Sequence, residues 1–165
     1  MDLIKRVVGF FKEVADSSID IKQYRVGEEY LSNDSFQEYP VLFLYLPITY
    51  TYNENKSWYN VSVRLSVYHN ISKDQWGNPT ATTPYYLDDS VEQLNYASNI
   101  LNDIIQSVED SIYTRQWQLS VLSVGQVQTV TRVWNDDVSG VETTLQFRLP
   151  YACQHNPINF QKTID

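Results

Sequence analysis

The chain has 165 residues, a formal charge of −8 at pH 7 and a single cysteine. That length fits one domain with its own core, and 42% hydrophobic against 19% charged residues excludes a disordered chain. The acidic balance excludes a protein that grips nucleic-acid phosphates or an anionic membrane through basic patches, and the lone cysteine excludes an internal disulfide framework.

Residues 3–14 place Leu3, Ile4, Val7, Phe10, Phe11 and Val14 on one helical stripe, with Asp2 as a cap. Lys12 and Glu13 interrupt the apolar run and no small-x-small site follows, so a secretory leader is not expected and the protein is read as made in a cytosol. The four Asn-x-Ser sequons, at Asn33, Asn55, Asn60 and Asn70, are accordingly read as chance. No window is long enough for a membrane span. Ile19–Glu28 reads as a short strand ended by Gly27, and the polar, turn-rich run Glu28–Pro40 as a loop. Val41–Leu46 is apolar on both faces, the pattern of a strand covered on both sides. Pro47 removes a ladder donor and predicts a bulge or break.

Ser57–His69 alternates strictly. Tyr59, Val61, Val63, Leu65 and Val67 share one face, and Asn60, Ser62, Arg64, Ser66 and Tyr68 the other. Asn70–Asp88 has no period and predicts a long functional or mobile loop. Asp89–Glu92 resembles a capping box. It opens the longest helix, with Val91, Leu94, Ala97, Leu101, Ile104, Ile105, Val108 and Ile112 on its apolar side. Trp117–Val133 reads as extended and broken near Gly125. The acidic turn Asn135-Asp136-Asp137 follows, and then a closing strand with Val141, Thr143, Leu145, Phe147 and Leu149 inward. The expected fold is α+β: a single antiparallel β-sheet with the N-terminal helix and one long helix packed on one face. Residues 1–157 form one domain and 158–165 a C-terminal tail. No internal repeat is visible.

The chemistry-bearing residues point away from catalysis. Cys153 and His155 share a face of an extended chain, but no third orienting group accompanies them and no metal-ligand spacing occurs. They read as a strand end or subunit contact. The pairs Glu28-Glu29, Asp88-Asp89 and Asp136-Asp137 fit caps and turns, because adjacent side chains on a strand point apart. Neither a phosphate-binding glycine loop nor a nucleophile elbow is present. No catalytic, cofactor-binding or metal-binding residue is expected. The aromatics Tyr45, Tyr50, Tyr52, Trp58, Tyr59 and Tyr85-Tyr86 suit a mixture of core and interface.

Three stretches carry a resemblance. Tyr39–Pro47, Asp88–Tyr113 and Asn135–Leu145, in that order, resemble the early strand, long helix, and acidic turn with closing strand of the tail terminator or tail-completion proteins of tailed bacteriophages. Phe147–Pro150, Cys153 and Asn156-Pro157 resemble versions from phages of gut Bacteroides-type hosts. The likeness spans most of residues 1–157 as a pattern. It implies a virion structural protein, not an enzyme and without a cofactor. Such a protein is made in the host cytoplasm and assembled as a homo-oligomeric ring at the head–tail junction or in the tail. Its partners are portal, connector or tail-tube proteins; DNA passes through without sequence-specific binding, and no membrane is involved. In that setting Val41, Phe43, Tyr45, Val141, Leu145, Phe147 and Cys153 are candidate subunit-interface residues, on strands expected to be sheet edges. Asp136 and Asp137 are candidates to face the channel. The alternatives are a monomeric ligand-binding α+β module and, less favoured, a Cys/His hydrolase.

Overall fold

The fold is a computed structural model that describes residues 3–28, 38–55, 57–69, 89–109, 117–133 and 138–150. Helix α1 spans Leu3–Ser17 and buries Leu3, Val7, Phe10, Phe11 and Val14 of the predicted stripe together with Ala15, while Ile4 is half-buried at its margin. Lys12 and Asp16 pair at 2.7 Å on its exposed side. Past its end, the Ser18 hydroxyl accepts from the amides of Asp20 and Ile21, each at 3.3 Å, which turns the chain towards the sheet.

The strands are β1 (Gln23–Gly27), β2 (Val41–Tyr45), β3 (Thr49–Tyr52), β4 (Trp58–His69), β5 (Ser120–Val124), β6 (Gln128–Val133) and β7 (Val138–Pro150), with α2 at Asp89–Glu109 between β4 and β5. They form one sheet in the order β1-β2-β4-β7-β5, with β3 also on β4 and β6 also on β7. The architecture is therefore α+β on a single sheet. Every pairing is antiparallel except β1 with β2, which is parallel. The stretch between Gly27 and Val41 makes this possible, since a parallel neighbour needs a crossover of about a dozen residues whereas an antiparallel one needs only a turn.

At the centre, β4 and β7 pair along their whole length, from Trp58 opposite Pro150 to His69 opposite Ser139. Each long strand is flanked on its outer side by two short ones in line. Strands β2 and β3 lie along β4 with a break at Leu46-Pro47-Ile48, where the expected proline break falls. Strands β5 and β6 lie along β7 with a break at 125–127. A helix, a broken strand and a long strand thus occur twice in the chain. This repeat exists in the topology and not in the sequence.

Both helices pack on one face of the sheet. Leu42, Leu44, Val61, Val63, Leu65, Val67, Val141, Leu145, Phe147 and Leu149 meet α1 and α2 residues there in one core. Phe10 and Phe11 contact Trp117 and Phe147 edge-on, at centroid distances of 5.9 and 6.1 Å. Trp117 is tied to α1 by its indole N–H, which donates to Glu13 at 2.9 Å. The Arg6 guanidinium donates to the Pro150 carbonyl at 3.0 Å and fixes the end of β7.

The expected edges are corrected by this topology. Strand β2 lies between β1 and β4, and β7 lies between β4 and the β5–β6 line. Val41, Phe43, Tyr45, Val141, Leu145 and Phe147 are consequently all buried within the chain. Apolar alternation marks a strand covered on its faces and carries no information about its sides; hydrogen-bond neighbours decide which strands are edges.

Candidate functional site

The face of the sheet away from the helices has two regions. Around β2, Val41, Phe43, Tyr45 and Tyr68 form a second, smaller buried cluster with Tyr39 packed against it. Beside it lies a polar network. Arg64 places its guanidinium 4.2 Å above the Tyr45 ring and donates to Glu142 Oε2 through Nη2 at 2.8 Å and Nε at 3.2 Å. Gln128 donates to the other Glu142 oxygen, and the Tyr45 and Tyr68 hydroxyls hydrogen-bond to each other. Burial pushes both phenols above their ordinary pKa, Tyr68 strongly so. Both therefore stay protonated near neutral pH and supply neither a base nor a nucleophile. The charge of Glu142 is met by Arg64, so the cluster clamps β4, β6 and β7 together.

At the far end of β4, burial lowers the pKa of His69 and keeps the ring neutral. Its ring lies 4.9 Å from that of Tyr96, whose hydroxyl donates to Asp20 at 3.1 Å. This contact links α2 to the turn after α1. Among the described residues no group of three or more His, Cys, Asp or Glu side chains could hold a metal ion. Among the described helices none is long and apolar enough to cross a membrane.

The sides of the sheet are chemically unusual. The outer strand beside β2 is β1, which carries an exposed Arg25, but from Leu46 to Asn53, through the edge strand β3, there is no Asp, Glu, Lys or Arg. The same holds from Gln116 to Thr131, through β5 and most of β6. Exposed apolar side chains gather on these stretches: Tyr50 and Tyr52 on β3, Leu122 and Val124 on β5, and Val127 at the break that follows. Tyr50, Tyr52 and Tyr59 form a ring cluster with centroids 5.1–6.2 Å apart. Natural sheets blunt free edges with lysine, proline or inward charge, and β3 and β5 carry none of these.

Asp136, Asp137, Cys153 and His155, with the Asn70–Asp88 loop, Tyr85-Tyr86 and the 158–165 tail, lie outside the described residues. In the sequence the edge residues Tyr50 and Tyr52 stand out as aromatics, whereas Leu122, Val124 and Val127 carry no such mark. The signal that could have found them is the uncharged run from Gln116 to Thr131. No protein-family model matches the chain, and no curated protein matches it.

Proposed function

We propose that the chain is a structural subunit of a tailed-phage virion that assembles into a ring at the head–tail junction or in the tail, around the path of DNA, with no catalytic role. The observation that supports this is the pair of uncharged, apolar-bearing edge strands, β3 and β5, on opposite sides of one sheet. A head-to-tail ring needs two different patches per subunit, and closure satisfies both. A symmetric dimer through one edge would leave the other exposed.

Strand direction is compatible with this arrangement. Strands β1, β2 and β3 run parallel to β7, whereas β5 and β6 run antiparallel to it. Copies related by rotation would therefore bring antiparallel strands together at each joint. Each copy carries a charge of −8, so copies meet at least electrostatic cost where no carboxylate lies. In this reading Asp136 and Asp137 face the channel, where like charge keeps DNA from sticking, and portal, connector or tail-tube proteins are the neighbours.

The test is particle size by light scattering and negative-stain imaging, with Val124→Lys on one edge and Tyr50→Lys on the other. The expected result is uniform rings from the wild type and folded monomers from either variant, with unchanged circular dichroism. Rings that persist in both variants would overturn assembly through the edges. Absence of the chain from mass spectra of purified phage particles that encode it would overturn the virion assignment, and a basic channel lining in a map of the ring would overturn the placement of Asp136 and Asp137.

A further inference from the structure

On the open face of the sheet, reaching from the edge strand β3 across β4 and β7 to the edge strand β5, a groove of about 380 Å³ has Thr49, Thr51, Asn60, Ser62, Leu122 and Gln146 in its lining. This volume lies at the small end of natural ligand pockets. Strand register brings the lining together. Thr49 stands opposite Ser62, Thr51 opposite Asn60, and Ser62 opposite Gln146, so hydroxyls and amides from three strands share one face. A bulge in β5 between Val121 and Ser123 accompanies the placement of Leu122 in the groove wall.

The lining is neutral throughout. Asn60 Oδ1 is buried and accepts no hydrogen bond, an unfavourable state for an amide oxygen unless a ligand or solvent supplies the donor. Gln146 Oε1 accepts from the Ser123 hydroxyl at 3.2 Å, which leaves its amide nitrogen as a donor. Trp58 sits two residues before Asn60 on the same face and is 41% exposed. Arg148 stands opposite Asn60 across the central ladder and is also exposed.

We propose that this groove binds a neutral saccharide, with Asn60, Ser62, Thr51 and Gln146 engaging ring hydroxyls and Trp58 covering an apolar sugar face. A sugar ring presents mixed donors and acceptors around its rim and C–H groups on its faces. The lining offers short neutral side chains for the rim, and beyond it, two residues along β4 from Asn60 on the same face, stands the exposed indole of Trp58. A phosphorylated ligand would call for a cluster of cations, and beside the neutral lining stands one, Arg148 opposite Asn60. A lipid tail would leave the Asn60 oxygen and the hydroxyls unsatisfied. Sugar binding and ring assembly are told apart by Val124→Lys, which changes an edge strand but no residue of the groove lining, whereas Tyr50→Lys changes both.

The experiment is calorimetric titration of the full chain with maltohexaose, cellohexaose and chitohexaose, with tryptophan emission followed in parallel. Saturable binding of at least one of them is expected, with a change in emission. Trp58→Ala should weaken it about tenfold, the scale of one lost aromatic contact. Thr51→Val, which removes only a hydroxyl from an exposed strand position, should weaken it roughly three- to tenfold, the scale of one neutral hydrogen bond. If circular dichroism shows that Trp58→Ala does not fold, Thr51→Val decides alone. Absence of saturable binding to all three sugars, or affinity unchanged by every folded variant, would overturn the proposal.

Discussion

One chemical change, glycine to alanine, should have opposite effects at two positions. At Gly140 an added Cβ would fall on the carbonyl oxygen of Val67, well inside van der Waals contact. It would also lie 2.7 Å from Tyr68 Cδ1 and 3.1 Å from Tyr68 Cα. Gly140 pairs with Tyr68 on one side and Val130 on the other, so the strand has no free side to move towards. Two of the three obstructing atoms are backbone, and the third belongs to a buried ring hydrogen-bonded to Tyr45. Overpacking costs roughly 1–3 kcal/mol where side chains can yield, and here the upper end applies, about 3 kcal/mol. At Gly9, within α1, the added Cβ meets only Trp117 at 3.6 Å, an ordinary contact. Alanine there should stabilise by about 0.5–1 kcal/mol, because glycine in a helix interior loses more backbone entropy on folding. For a chain of this size, 1 kcal/mol corresponds to roughly 2–4 °C in melting temperature. Gly140→Ala should therefore lower it by about 6–12 °C and Gly9→Ala raise it by about 1–4 °C. Thermal and urea unfolding followed by circular dichroism measure both. If Gly140→Ala falls within about 1 kcal/mol of wild type, the claim that the missing side chain makes room for Tyr68 between paired strands is wrong.

Three further outcomes are expected. Arg64→Ala should destabilise by about 2 kcal/mol, because Glu142 remains buried with one neutral partner, and a second change, Glu142→Gln, should restore much of the loss; a double-mutant cycle in urea measures the coupling. Trp117→Phe keeps an aromatic ring beside Phe10 but removes the donor to Glu13, and should cost about 1–2 kcal/mol by the same assay. Tyr24 donates to the Val8 carbonyl at 3.0 Å, and burial raises its pKa well above the ordinary 10. The unfolded chain releases that proton from pH 10 upwards while the folded one keeps it, so the contribution is complete below pH 10 and falls as pH rises beyond it. Urea midpoints above pH 10 should fall more steeply for wild type than for Tyr24→Phe.

Much of the element map is legible in the chain. The stripe Leu3, Val7, Phe10 and Phe11 makes α1 because its 3.6-residue spacing leaves one arrangement that buries those side chains together. Alternation from Tyr59 to Val67 and from Val141 to Leu149 assigns the two long strands and their inward faces for the same reason at period two. Pro47, lacking a backbone donor, splits one strand into β2 and β3 where expected. These are local consequences of side-chain periodicity and backbone chemistry, and the order of residues determines them without reference to the rest of the fold. Lateral order is different. That β7 lies between β4 and the β5–β6 line, that β1 joins β2 in parallel, and that Arg64 faces Glu142 follow from which hydrogen-bond ladders form over long sequence separations. Val41 and Phe147 read equally well as edge or interior residues until those ladders are in place. The groove is of this second kind. Thr49, Asn60, Leu122 and Gln146 carry no shared motif and meet only because four strands align side by side, since a strand's own pattern selects its faces while its neighbours are selected by pairing across the whole sheet.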